Sequence, residues 1–185
     1  MLPKELERLI REHFDETNPD KKKEYKNRID ELISQITNGH KEFDFEVYFS
    51  EVFHENKGFD VVIGNPPYGF RDVLTKVEKE YFRKVEKIEF SSGDSAELFC
   101  KKSFDKLVKV DGILTFIIPQ KSLYGDSWHG FRKNYWQTYN LIFLLDSNKA
   151  FQDVLLEANA FGLSKSPQKQ KVKCSYLNKN KFLNS

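Results

Sequence analysis

Cysteine is scarce: Cys100 and Cys174 stand alone and far apart. That spacing excludes a disulfide framework and reads as two reduced thiols, not as a metal site. No apolar run is long enough to span a bilayer, and no signal-peptide core follows Met1; the location expected is the cytoplasm, with no membrane partner. Glycine is thin too. There are nine, and no two are spaced as Gly-x-Gly, so no stretch offers the close backbone approach of a Gly-rich cofactor loop. Neither sign of charge dominates. The formal net charge is +2, which neither demands nor excludes nucleic acid, so a basic face has to come from local clustering.

What is present suits one domain with a packed core. The chain has 185 residues, 39% hydrophobic, with 17 Phe. Residues 3 to 36 carry apolar positions at three- and four-residue intervals, Leu6, Ile10 and Phe14, then Ile29, Leu32, Ile33 and Ile36. Thr17-Asn18-Pro19-Asp20 interrupts them, which predicts two helices or one helix and its continuation. The run Lys21-Lys22-Lys23, with Lys26 and Arg28, reads as a solvated helix face. Aromatic residues from Phe43 to Phe53 read as a segment packed on a sheet. Residues 70 to 93 read as charged and irregular, with basic and aromatic residues interleaved. Asp94 or Ser95 caps a helix that Asp111-Gly112 ends. Residues 112–118 and 140–146 are β-rich runs. The alternation of strand and helix predicts adjacent parallel strands from 59–64, 112–118 and 140–146. Residues 158–163 and 170–177 are expected to pair as an antiparallel hairpin beside them. The division expected is a helical segment over 1–40, a catalytic half over 41–178 and a frayed tail over 179–185.

One stretch organises the rest: Phe59-Asp60-Val61-Val62-Ile63-Gly64-Asn65-Pro66-Pro67-Tyr68. Val61, Val62 and Ile63 read as a buried parallel strand. Gly64 permits close approach, and Asn65-Pro66-Pro67 cannot continue a sheet. The Asn65 amide oxygen and the Pro66 and Pro67 carbonyls are acceptors that suit an exocyclic amine, and Tyr68 offers a face for a planar ring. Read alone, a Pro-Pro pair is a turn; after a hydrophobic strand the same residues read as a site.

This stretch resembles motif IV of the amino-group DNA methyltransferases, and most closely the branch of type II restriction-modification enzymes that fuse methylase and nuclease. The resemblance covers roughly residues 43 to 178 and implies an α/β fold: part of a Rossmann-like S-adenosylmethionine-dependent methyltransferase sheet, parallel strands plus a C-terminal antiparallel hairpin, after a helical N-terminal segment. It implies methyl transfer from S-adenosylmethionine to N6 of adenine in double-stranded DNA, with Asn65, Pro66, Pro67 and Tyr68 as catalytic residues. Tyr68 and Phe151 are then the residues that sandwich a flipped adenine; plain core packing is the other reading of Phe151.

The family's Gly-rich cofactor loop has no counterpart here, nor has its target-recognition domain. The expectation is a fragment that binds S-adenosylmethionine weakly or not at all and is completed by an N-terminal cofactor-binding half. Two rival readings stand beside it: methylation of a protein glutamine or an RNA base, and a non-catalytic remnant that serves as a binding or assembly module.

Overall fold

The computed structural model describes residues 4–67, 74–148, 157–166, 171–178 and 181–184. The chain divides into two compact units at Gly58 and Phe59. The first holds four helices: α1 (Lys4–Asp15), α2 (Pro19–Ile36), α3 (Phe45–Tyr48) and α4 (Ser50–Asn56). Asn18 caps α2, its side chain accepting from the Asp20 and Lys21 backbones, and Pro19 supplies the preset φ of a first helical turn. Leu6, Leu9, Leu32, Ile33 and Val47 form this unit's core. The aromatic segment expected against the sheet is therefore helical, and it contributes Val47 to the helical core. Phe43 is 62% exposed and stacks on Tyr48, with 4.7 Å between ring centres. Lys21, Lys22, Lys23 and Lys26 lie on an exposed face.

The second unit is built on a six-stranded sheet. Its strands are β1 (Phe59–Gly64), β2 (Val108–Pro119), β3 (Asn140–Asn148), β4 (Ala158–Ser164), β5 (Lys173–Asn178) and β6 (Lys181–Asn184), in the order β1-β2-β4-β3-β5-β6. β1 runs parallel to β2, with Gly64 beside Phe116. β4 runs antiparallel to both β2 and β3. β5 is parallel to β3, and β6 is antiparallel to β5. The α/β class, with parallel and antiparallel strands after a helical N-terminal segment, agrees with the sequence reading; two placements do not.

The first is the hairpin. Residues 158–163 pair with β2 and β3, not with 170–177, so 140–146 runs parallel to 112–118 but is not adjacent to it as the sequence predicts: β4 lies between them. Six of β4's seven residues are buried, and a strand covered on both faces belongs inside a sheet. Gly162 makes room there, because a Cβ at that position would overlap the Phe143 ring. Lys173 and Cys174 are exposed, which suits a place nearer the edge. The C-terminal hairpin joins β5 to Lys181–Asn184 instead, where the sequence predicts a frayed end.

The second is β1. It was expected to be buried, yet Val61 is 56% and Ile63 77% exposed. β1 is the first strand of the sheet and has β2 alone beside it among the described residues.

Between β1 and β2 lie α5 (Lys76–Lys84) and α6 (Ser95–Lys102), the latter continuing as a wider turn over Ser103–Leu107. Residues 76–93 are thus more ordered than their charge suggests. Thr75 and Glu78 form a capping box on α5, and Ile88, Phe90 and Leu98 close a small core. The helical stretch ends at Leu107, four residues before Asp111-Gly112. Asp111 takes φ +64 within an irregularity of the β1–β2 ladder. A Cβ on Gly112 would stand 2.9 Å from the Phe59 carbonyl oxygen, so only glycine lets β2 close on β1 here. Phe104, Leu114, Phe116, Ile118, Trp128, Phe131, Phe161 and Leu163 fill the main core under the sheet.

Candidate functional site

β1, β2 and β3 point the same way, so the segments that follow them gather at one edge of the sheet. In open α/β sheets this is the edge that binds ligands. After β1 comes Asn65-Pro66-Pro67. Asn65 is exposed and Pro66 buried, so the ring of Pro66 anchors the loop while the amide beside it faces outward. Gly64 admits the close approach of Phe116, whose ring would lie 3.2 Å from any Cβ there. Tyr68 and Phe151, the proposed sandwich, lie outside the described residues.

The loop is held from α6. Ser95, 2% exposed, donates its hydroxyl to the Pro67 carbonyl at 2.6 Å. Asp94 caps α6 by accepting from the Ala96 backbone at 3.1 Å, and its other oxygen lies 2.9 Å from Lys121 Nζ. Behind them Glu97, fully buried, pairs with Lys101 at 2.7 Å and accepts from the Ser92 backbone, also at 2.7 Å. Lys101 also donates to the Glu89 carbonyl. Burial first, then the carboxylates of Glu97 and Asp94, pushes the Cys100 thiol well up, so this cysteine is inert as a nucleophile.

The segment after β2 is equally fixed. Gln120 donates to Asp146 Oδ1 at 2.7 Å. Asn159 donates to the Pro119 carbonyl at 3.0 Å and to Ser122 Oγ at 2.7 Å. Arg132 donates to the Ser122 and Gly125 carbonyls, each at 2.9 Å. The segments that follow β1 and β2 are thus each held by side-chain hydrogen bonds, and Asn65 in the first of them is exposed.

Sequence reasoning singled out Asn65, Pro66 and Pro67 and passed over Ser95, which holds the Pro67 carbonyl, Lys121, which meets Asp94, and Gln120, which ties the segment after β2 to β3. Ser95 was visible only as a possible helix cap. A lone Lys or Gln after a strand carries no signal until the strand order is known.

Among the described residues no Gly-x-Gly turn offers S-adenosylmethionine a close backbone approach. The segment before β1 is helical, and the face of β1 that carries Val61 and Ile63 is exposed.

The model of the Eco57I restriction-modification methylase family matches residues 4–152, and the chain belongs to that family. A Methanocaldococcus jannaschii protein provisionally named as a type II restriction enzyme and methyltransferase is 39% identical over 93 residues, 50% of this chain and 7% of its own length. A modification subunit of a type I restriction enzyme from Vibrio vulnificus YJ016 shares the fold with TM-score 0.53 at 17% identity, over 68% of this chain and 27% of its own. The DrdV–DNA complex gives TM-score 0.52 at 20% identity, over 70% of this chain and 16% of its own. The chain thus spans a small part of each of these proteins.

Proposed function

We propose that this chain is the target-amine half of an adenine-N6 DNA methyltransferase that uses S-adenosylmethionine. The observation that carries the reading is the exposed Asn65 amide on a proline-stiffened loop at the ligand edge of the sheet. N6 of adenine lies inside the duplex, so the base has to be extruded to reach such a loop. The Asn65 side-chain oxygen and the Pro66 carbonyl then accept the two amine hydrogens. That turns the nitrogen lone pair outward and stabilises the positive charge that develops as nitrogen is alkylated. Tyr68 stacks on the base from one side and Phe151 from the other, which is worth about 1–3 kcal/mol per stacked ring.

Asn65→Ala is expected to lower single-turnover methyl transfer by about 10²–10³-fold and to leave DNA affinity nearly unchanged, since phosphate contacts carry most of the affinity. Parallel turnover and binding measurements check this. Near-normal turnover would reduce the loop to a rigid turn and end the reading. The same assay on RNA and on glutamine peptides decides the substrate class.

The bare face of β1, with Val61 and Ile63 exposed, supports a partner as well: a cofactor-binding half whose apolar side chains cover this face of the strand. Calorimetry on the isolated chain should show weak binding of S-adenosylmethionine or none. Micromolar binding by this chain alone would overturn that part of the proposal.

A further inference from the structure

The tripeptide Asn65-Pro66-Pro67 has a feature that chemistry makes costly. Neither proline carries a backbone N–H, so the loop has few donors with which to hold itself. Its geometry has to be imposed from outside. The donor the structure shows is the Ser95 hydroxyl, buried at 2% exposure and 2.6 Å from the Pro67 carbonyl oxygen. A serine hydroxyl has one proton to give, and here it goes to this carbonyl.

Ser95 is in turn fixed in space. It opens α6, whose start is locked by Asp94 through the Ala96 backbone on one oxygen and Lys121 on the other. Lys121 comes from the segment that follows β2, and the Asp94 side chain it meets is almost fully buried. The loop after β1 and the loop after β2 are thus tied through a single helix start, and Ser95 is the link that reaches the proline loop.

We infer that Ser95 is a positioning residue for methyl transfer. It turns the Pro67 carbonyl toward α6 and occupies one of its lone pairs, so that Asn65 and Pro66 are the acceptors presented to the target amine. This rests on the function proposed above, and it adds a residue and a division of labour between the two prolines.

Two measurements test it. The first uses the isolated chain and needs no turnover. An HNCO spectrum correlates the Pro67 carbonyl carbon with the amide that follows it. Ser95→Ala should shift that carbon upfield, as loss of a hydrogen-bond donor does, and Ser95→Thr should restore it. An unchanged shift in Ser95→Ala overturns the inference. The second is single-turnover methylation beside DNA binding, in the complex with the cofactor-binding half. Ser95→Ala should lower the rate about ten- to a hundredfold, since small misplacement of a reacting group costs that much, with DNA affinity unchanged and most of the rate regained in Ser95→Thr. A wild-type rate in Ser95→Ala also overturns it. If Ser95→Ala fails to fold, Ser95→Cys keeps the volume with a weak donor and should give an intermediate carbonyl shift. The two proposals fail separately. Normal turnover in Asn65→Ala sinks the methyltransferase reading and leaves the carbonyl shift standing. An inactive Asn65→Ala with an unmoved Pro67 carbonyl in Ser95→Ala does the reverse.

Discussion

β1 and β4 are two short apolar strands with opposite fates. Phe59–Gly64 reads as the more β-rich, yet Val61 and Ile63 face outward. Ala158–Ser164 carries a glycine, an asparagine and two alanines, yet it lies between two strands and is buried almost throughout. Local hydrophobicity did not decide which strand is inside. Position in the sheet did: β4 has neighbours on both sides, and its small residues are what let large side chains close over it. Ser147 and Asn159 complete the fit by donating to the Ala158 and Pro119 carbonyls at 2.7 and 3.0 Å.

The contrast breaks most sharply at Phe161. Its ring is fully buried and lies 6.2 and 5.5 Å from those of Phe131 and Trp136. Phe161→Ala is expected to cost about 3–5 kcal/mol, transfer and cavity together. Urea denaturation of the two proteins measures it. A loss below 1 kcal/mol would mean that β4 is not the centre of this core.

Gly162→Ala tests the same strand from the other direction. The added methyl meets the Phe143 ring, and overpacking of this kind costs about 1–3 kcal/mol. Gly162→Ala combined with Phe143→Leu should recover part of the loss. A double variant no better than the single one would place the strain elsewhere.

These two sites also show what was legible. The helices α1 and α2, the Asn18 cap, the strands of β1, β2 and β3, and the Asn65 loop each follow from short-range pattern, and the chain reveals them. The place of β4 depends on which strand lies between which others, a long-range fact that Ala158–Leu163 does not encode alone. Ser95 is 28 residues from the Pro67 carbonyl it holds, so its role was equally out of reach of local reading. Asp111-Gly112 misled for a related reason: the pair looks like a helix end but serves the close approach of β2 to β1.

The layer beneath β4 can be probed by pH. Tyr135 stacks on Phe131, 5.1 Å between centres, and donates to Asp105 Oδ2 at 2.7 Å. Burial first, then the hydrogen bond to Asp105 and its charge, hold the phenol far above the usual tyrosine range. A folded-state value above the unfolded one means the folded chain keeps a proton that the unfolded chain releases. This contribution is complete below about pH 10 and is lost as pH rises beyond it. Lys165 acts in the opposite sense: burial lowers its value, so its contribution improves as pH approaches its unfolded value near 10.4. Tyr135→Phe isolates the first effect. It should cost about 0.5–1.5 kcal/mol at pH 8 and flatten the fall in stability between pH 9 and about 11. Denaturation midpoints across that range check it, and parallel curves for both proteins would contradict the assignment.

The smallest effect belongs to β1. Ile63 is 77% exposed, so folding removes little of its surface from water, and Ile63→Ser gives back little when the chain unfolds. The change should stay within about 0.5 kcal/mol, as exposed substitutions do. Urea midpoints at two protein concentrations make the comparison complete. A cost above about 1.5 kcal/mol at both would mean that the face is covered within the chain. A cost that grows with concentration would mean that a second copy covers it. No cost alone, but weaker binding of the proposed cofactor-binding partner, is the outcome expected of a face that such a partner covers. The same apolar side chain would then be idle in this chain alone and buried only against the proposed partner.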